Sequence, residues 1–174
     1  GIHHDAWVPP YASKPMRKRH AERVGASPAD GAEAEAAGQT TGKVALFATC
    51  YGNYNEPAVG EDLLAVFGHN GIALTFAARE SCCGMPKLEL GDLETVRKLK
   101  EANIPVLAKL VDEGWDLVAP VPSCVLMFRQ ELPLMFPDDA EVAKVAKAFF
   151  DPFEYLMLRH REGRLNTEFK TGLG

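Results

Sequence analysis

The sequence predicts an α/β protein, with a small, mainly parallel sheet, helices on both faces and a flexible N-terminal connector ahead of the folded part. Three observations carry this. Short apolar, β-capable runs alternate with longer segments of helical periodicity, which is the pattern of β-α-β units with right-handed crossovers. The cysteines follow the apolar runs rather than sitting in helical stripes. Composition also divides the 174 residues into three parts. Residues 1–24 form a basic connector, with Lys14, Arg17, Lys18, Arg19 and Arg23 against Asp5 and Glu22. Residues 25–42, GASPADGAEAEAAGQTTG, have no basic and almost no large apolar side chain, and such a stretch reads as a disordered linker that cannot offset its ordering entropy. Residues 43–174 read as the compact domain.

The elements follow in order. KVALFAT (43–49) is a first strand ending at Cys50. In NEPAVGEDLLAVFGHNG, Val59, Leu63 and Phe67 recur every fourth residue, and Asn70-Gly71 is a helix stop. IALTFA (72–77) is a second strand. Leu93, Val96, Leu99, Val106, Leu107 and Leu110 mark a helix from Asp92 to about Glu113, which Pro105 should kink or divide. DLVAP (116–120) is a third strand. The helix after it has Ser123 as a candidate N-cap and is broken or bent at Pro133. DDAEVAKVAKAFF and DPFEYLMLRHREG are two further helices, the second opened by Asp151 and Pro152.

A hydrophobic fraction of 47% and a charged fraction of 25% allow an ordinary core without covalent staples. A net charge of −5 argues against nucleic acid as a partner. No apolar run approaches the roughly 20 residues of a membrane-spanning helix, and the N-terminus has no signal-peptide apolar region. A cytoplasmic, non-spanning protein is therefore expected. The start at Gly1 and the end in EFKTGLG read as an excised or truncated piece of a longer chain.

The cysteines are spaced Cys50-x31-Cys82-Cys83-x40-Cys124. Each group follows a predicted strand. In an open parallel sheet the carboxyl ends of the strands share one edge, where ligands bind, so the four thiols should converge there. Gly52 and the asparagines beside Cys50 permit tight turns, Gly84 frees the backbone after the Cys82-Cys83 pair, and Cys124 falls near a helix start that favours a thiolate. Disulfides are disfavoured by compartment and by the strain of linking adjacent cysteines. Ordinary buried thiols, zinc and an iron–sulfur cluster are the other readings. The absence of local C-x₂-C pairs does not separate the last two.

The stretches CYGNYNEPAVGEDL, ESCCGMPKLELGDLE, DLVAPVPSCVLMFRQELP and DPFEYLMLRHREG, in this order, resemble the cysteine-rich CCG-domain iron–sulfur oxidoreductases. That family includes B-type subunits of heterodisulfide reductase, iron–sulfur subunits of glycolate and lactate oxidation, and the C subunit of anaerobic glycerol-3-phosphate dehydrogenase. The resemblance covers residues 43–170, and GIHHDAWVPPYASKPMRKR is similar to the family's connector. Its motif is a Cys, then Cys-Cys-Gly, then Cys-x-x-Cys, which maps onto Cys50, Cys82, Cys83, Gly84 and Cys124 but places Met127 at the fifth cysteine position. The resemblance implies that the four cysteines are metal ligands for a [4Fe–4S] cluster, with zinc as the alternative, and that Gly84, Tyr51 and Ser123 border the cofactor. It implies the first of two CCG modules, an electron-passing subunit with a ferredoxin-like domain, a second CCG module and a dehydrogenase subunit as partners. The acceptor would be a quinone or a disulfide, and the site cytoplasmic or peripheral at the inner membrane face. A scaffold module with zinc or free thiols, and a thiol–disulfide exchanger, are the competing functions.

Other features read as ordinary structure. His3 and His4 are taken as surface residues because adjacent imidazoles do not readily share a face; His20, His69 and His160 stand apart from other ligand types in sequence. The basic run KPMRKR (14–19) reads as a solvated or partner-facing segment, and Met85, Met127 and Met135 as packing residues. Tyr51 and Tyr54 are candidates to line a pocket.

Overall fold

Lys43–Leu46 (β1) opens the sheet, and three of its four side chains are buried, as both-face burial in a parallel sheet requires. The description rests on a computed structural model covering residues 3–6, 10–25 and 34–168. Before β1 the connector forms a short helix, Met16–Arg19 (α1). After it come Cys50–Tyr54 (α2) and Pro57–His69 (α3), then Ala73–Phe76 (β2), Met85–Glu89 (α4) and Leu93–Asp112 (α5). Asp116–Val118 (β3) leads into Pro122–Leu126 (α6), a π-turn over Met127–Glu131, and Leu132–Met135 (α7). Ala140–Ala148 (α8), Phe149–Phe150 (β4) and Pro152–Arg161 (α9) complete the order.

The four-stranded sheet has the order β2-β1-β3-β4, and every pairing is parallel. The chain builds outward from β1 to β2 and then crosses to β3, so β1 and β3 flank the point where the order reverses. Alternation along the strands divides the core. Val44, Leu46, Phe76, Val118 and Phe150 face Met16, Phe67 and Tyr155 of the helices on one side. Ala45, Phe47, Leu117 and Phe149 face Val96, Ile104, Val142 and Phe128 on the other. There the Phe128 ring stacks on Phe149 at 4.8 Å between centroids and meets Phe47 edge-on at 5.0 Å.

The α/β class with helices on both faces is confirmed, and several local expectations change. The three expected strands are present and shorter. A fourth, β4, lies inside a segment expected to be helical: Val142, Val145 and Phe149 keep helical spacing, and pairing with Leu117 takes Phe149 into the sheet instead. Pro105 does not divide α5. It lies on the exposed face, where the carbonyl of Glu101 that loses its amide partner meets solvent. Pro133 does not break its segment either, because helix continues from Pro122 to Met135 through the π-turn. Widening that turn gives room for the ring against the Arg129 carbonyl. Ser123 is not a cap; Val121 occupies that position, with Pro122 starting the helix.

The connector packs. Met16 is fully buried where Gly60 of α3 has no side chain, since a β-carbon there would lie 2.2 Å from the Met16 sulfur. Val24 bridges Phe76 in parallel, and the Gly25 amide donates to the Phe76 carbonyl at 2.9 Å, which covers the open edge of β2. The solvated reading of 14–19 therefore does not hold for Met16 or Arg17. Of the expected linker, residues 26–33 lie outside the described residues. Residues 34–42 make an Ala37–Thr40 bridge, and both guanidinium amines of buried Arg159 donate to the Glu35 carbonyl at 3.1 Å.

At the amino edge of the sheet, Asp116 Oδ2 accepts from the Thr41 amide (2.6 Å), the Thr41 hydroxyl (2.8 Å) and the Tyr155 hydroxyl (2.9 Å). Burial raises the Asp116 carboxyl above its ordinary value, and these donors pull it back. Tyr155→Phe removes one of them and leaves the Gly42 amide without its acceptor. The expected loss is about 1–3 kcal/mol at neutral pH. The native state holds the Asp116 proton more tightly than the unfolded chain, so this group weakens stability as pH rises above about 4. Denaturation at pH 4 and pH 7 should therefore show the larger penalty at pH 7.

Candidate metal centre

Three strand ends deliver the four cysteines to one sheet edge. After β1, Thr49 adopts φ 64° and ψ 160°, the only positive φ of a non-glycine among the described residues. Its hydroxyl caps α2 by accepting the Gly52 amide at 3.0 Å. This strained turn starts the helix at Cys50, which is exposed. After β2, the side-chain oxygen of Asn103 accepts the Ser81 amide at 2.9 Å, and its amide nitrogen donates to the Cys82 carbonyl at 3.0 Å. A buried helix side chain thus pins the backbone that carries Cys82. After β3, Cys124 lies in the first turn of α6 and is buried, as is Cys83.

The four thiols lie near enough to shift one another's ionisation, Cys83 and Cys50 acting on Cys82, and Cys124 and Cys82 acting on Cys83. They do not form a compact tetrad. Among the described residues the group whose three ligand atoms all lie within 4.8 Å of one another is His3–His4–Asp5. Cys83 is brought down to about 7, first by the hydrogen bond it accepts from Cys124, against its burial. Cys124 is pushed far up as that donor and by burial. Burial raises Cys82, opposed by the Gly84 amide. Gly84 has φ 102°, a conformation that favours glycine, and the turn it makes leaves its amide near Cys82 and that of Met85 near Cys83.

Four soft sulfur donors, with backbone amides already directed at two of them, suit a thiolate-bound metal group. In ligand number and type the residues present fit an iron–sulfur cluster and a four-cysteine zinc site alike. Between Cys50 and Cys82 lies a cavity of about 480 Å³, walled also by Tyr54, Ser81 and Leu99. Tyr54 lines it, whereas half-exposed Tyr51 does not. Ser123 is exposed in the first turn of α6 and caps nothing. Met127 is fully buried, and its methyl group would lie 3.4 Å from a β-carbon at Gly84, so the fifth motif position is filled by packing beside the Cys-Cys-Gly loop.

The structure also shows what the sequence reading missed. Asn103 carries a signal, a polar residue within the apolar stripe of Val96, Leu99, Leu107 and Leu110. Thr49, Arg17 and Glu80 carry none. His3 and His4 do share a face, with ring centroids 4.4 Å apart, because a turn closed by the Ala6 amide on the His3 carbonyl brings them together; both are exposed.

Fold and site together define a cysteine-rich α/β domain with its thiols at the ligand edge of a parallel sheet. Residues 44–129 match the family described as CCG, cysteine-rich domain, so this part of the chain is similar to that family. It is 32% identical over 92 residues to the C subunit of anaerobic glycerol-3-phosphate dehydrogenase from Escherichia coli (strain K12), a match covering 52% of this chain and 23% of the relative. To lactate utilization protein A of Exiguobacterium sp. it is 34% identical over 96 residues, 55% of this chain and 38% of the relative. To lactate utilization protein A of Bacillus cereus (strain B4264) it is 34% identical over 109 residues, 63% and 44% respectively. The matches thus span less than half the length of these relatives. No solved structure matches the chain. Among the described residues no helix is long and apolar enough to cross a membrane.

Proposed function

We propose that this chain is an iron–sulfur redox subunit, or part of one, in which Cys50, Cys82, Cys83 and Cys124 bind a [4Fe–4S] cluster. The observation that carries this reading is that three successive strand ends bring four cysteines to one edge of a parallel sheet, near enough to shift one another's ionisation. A bound cluster would supply one-electron transfer. The chain's own residues set its surroundings: amides donate to the sulfurs, burial of Cys83 and Cys124 keeps water away, and exposed Cys50 marks the open side. Similarity to a component named as a subunit of glycerol-3-phosphate dehydrogenase supports a dehydrogenase subunit as partner, and the resemblance of the sequence to the CCG-domain oxidoreductases supports a ferredoxin-like domain and a second CCG module beside it. The same resemblance points to a quinone or disulfide acceptor, and to a cytoplasmic or inner-membrane-peripheral location.

The test is anaerobic purification of the chain without added metal, followed by iron, acid-labile sulfide and zinc analysis of one sample. Near-stoichiometric iron and sulfide are expected. Zinc alone would make the domain a structural or docking piece. Neither element, after failed anaerobic reconstitution, would sink the redox reading. Met127→Leu should leave iron content unchanged and cost less than about 1.5 kcal/mol, because a volume-conserving swap tests packing alone. Loss of iron in that variant would show the thioether to be a ligand.

A further inference from the structure

The connector contributes to the cysteine site through one buried ion pair. The Arg17 guanidinium donates to Glu80 Oε2 at 3.0 Å, with the two side chains 16% and 7% exposed. The other guanidinium amine donates to the Ala77 carbonyl at 2.6 Å, and the group lies over the Phe76 ring at 5.7 Å. The Arg17 amide donates to Asn53 Oδ1 at 3.0 Å, just beyond Cys50. Glu80 in turn accepts the Ala48 amide at 3.0 Å and the Thr49 amide. The carboxylate therefore holds the strained turn that presents Cys50, and it lies two residues before Cys82.

We infer that Arg17 and Glu80 are positioning residues that set the separation of Cys50 and Cys82, so that the connector completes the thiol site. The pair touches neither sulfur and acts through the backbone at Thr49 and Ser81. Without the carboxylate, the amides of Ala48 and Thr49 lose their acceptor and the positive φ at Thr49 loses its restraint. Without Arg17, Glu80 is a buried, unpaired carboxylate. Cys83 and Cys124 are held by other means, the Gly84 turn and the first turn of α6, and should not respond. The inference bears on the site proposed for the cluster. It rests on thiol geometry, so it is tested on metal-free protein and stands or falls apart from the cluster.

The experiment treats the full chain, reduced and stripped of metal, with dibromobimane. Each of two neighbouring thiolates displaces one bromide, forming two C–S bonds and releasing two bromide ions. Cys50 and Cys124 lie in different tryptic peptides from Cys82-Cys83, so mass spectrometry separates the Cys50-linked product from the Cys124-linked one. In Glu80→Gln and Arg17→Ala, Cys50–Cys82 bridging should fall on the order of tenfold, the scale of a lost charged hydrogen bond. Bridging to Cys124 should stay within about twofold by the same scale, and Arg17→Lys should recover part of the Cys50 product. Unchanged Cys50–Cys82 bridging would overturn the inference. A parallel fall of both products would overturn it too, by reducing the pair to a support of the fold as a whole.

Discussion

Replacing Cys83 or Cys124 with serine is expected to reduce bound iron and sulfide to background. Serine is close in size and its hydroxyl can hydrogen-bond in place of the thiol, so either variant should still fold. What it removes is the soft thiolate that an iron–sulfur group needs. The central position matters, because Cys83 accepts from Cys124 and also contacts Cys82. The loss in metal affinity should exceed about a hundredfold, the upper end for residues that merely orient ligands. Cys50→Ser should cost less, since Cys50 is exposed and its place is open to solvent. Iron content measured across the four single variants gives the ranking. Equal iron in Cys83→Ser and wild type would remove the basis for the site.

Gly84→Ala is expected to damage stability and site together. With φ at 102°, a β-carbon strains the backbone by about 1–3 kcal/mol. That β-carbon would also meet the Met127 methyl group at 3.4 Å and Leu99 at 3.7 Å. Relief requires rotating the turn, which swings the Gly84 and Met85 amides away from the sulfurs of Cys82 and Cys83. Gly91→Ala is the control. It has φ 72° and nothing within 4 Å of its β-carbon, so it carries strain without touching the thiols. Both variants should lower the melting temperature by a few degrees, on the order of 2–4 °C per kcal/mol for a chain of this size. Only Gly84→Ala should also lose iron. Equal iron in the two variants would show that the amides directed at the sulfurs do not matter.

The reach of the sequence differs from element to element. Helix α5 was legible at both ends because its apolar stripe, the Asp92 cap and the last turn are local signals within one segment. Strand β4 was not, because two phenylalanines that continue a helical spacing become a strand only when Leu117 and Val118 pair with them. The thiol positions were legible because Cys50, Cys82, Cys83 and Cys124 each follow an apolar run, and a parallel sheet puts such ends on one edge. Their mutual approach was not, since it depends on the Gly84 turn and on where α6 meets the loop after β2. The connector misled through its composition. Charged residues usually read as solvated, and only Gly60, 44 positions beyond Met16, shows that there is a notch for that side chain.

By itself, then, the sequence determined the α/β class, the order of the principal elements, and that the four cysteines follow three strand ends. Those properties follow from periodicity and from residue types a few positions apart. The tertiary structure alone decided that Arg17 reaches Glu80 across 63 residues, that Asn103 holds the backbone of Cys82, and that Thr49 accepts a strained turn. Each is a buried polar contact between distant segments. The identity of a polar residue does not name its partner; the need to satisfy that residue inside a packed core does.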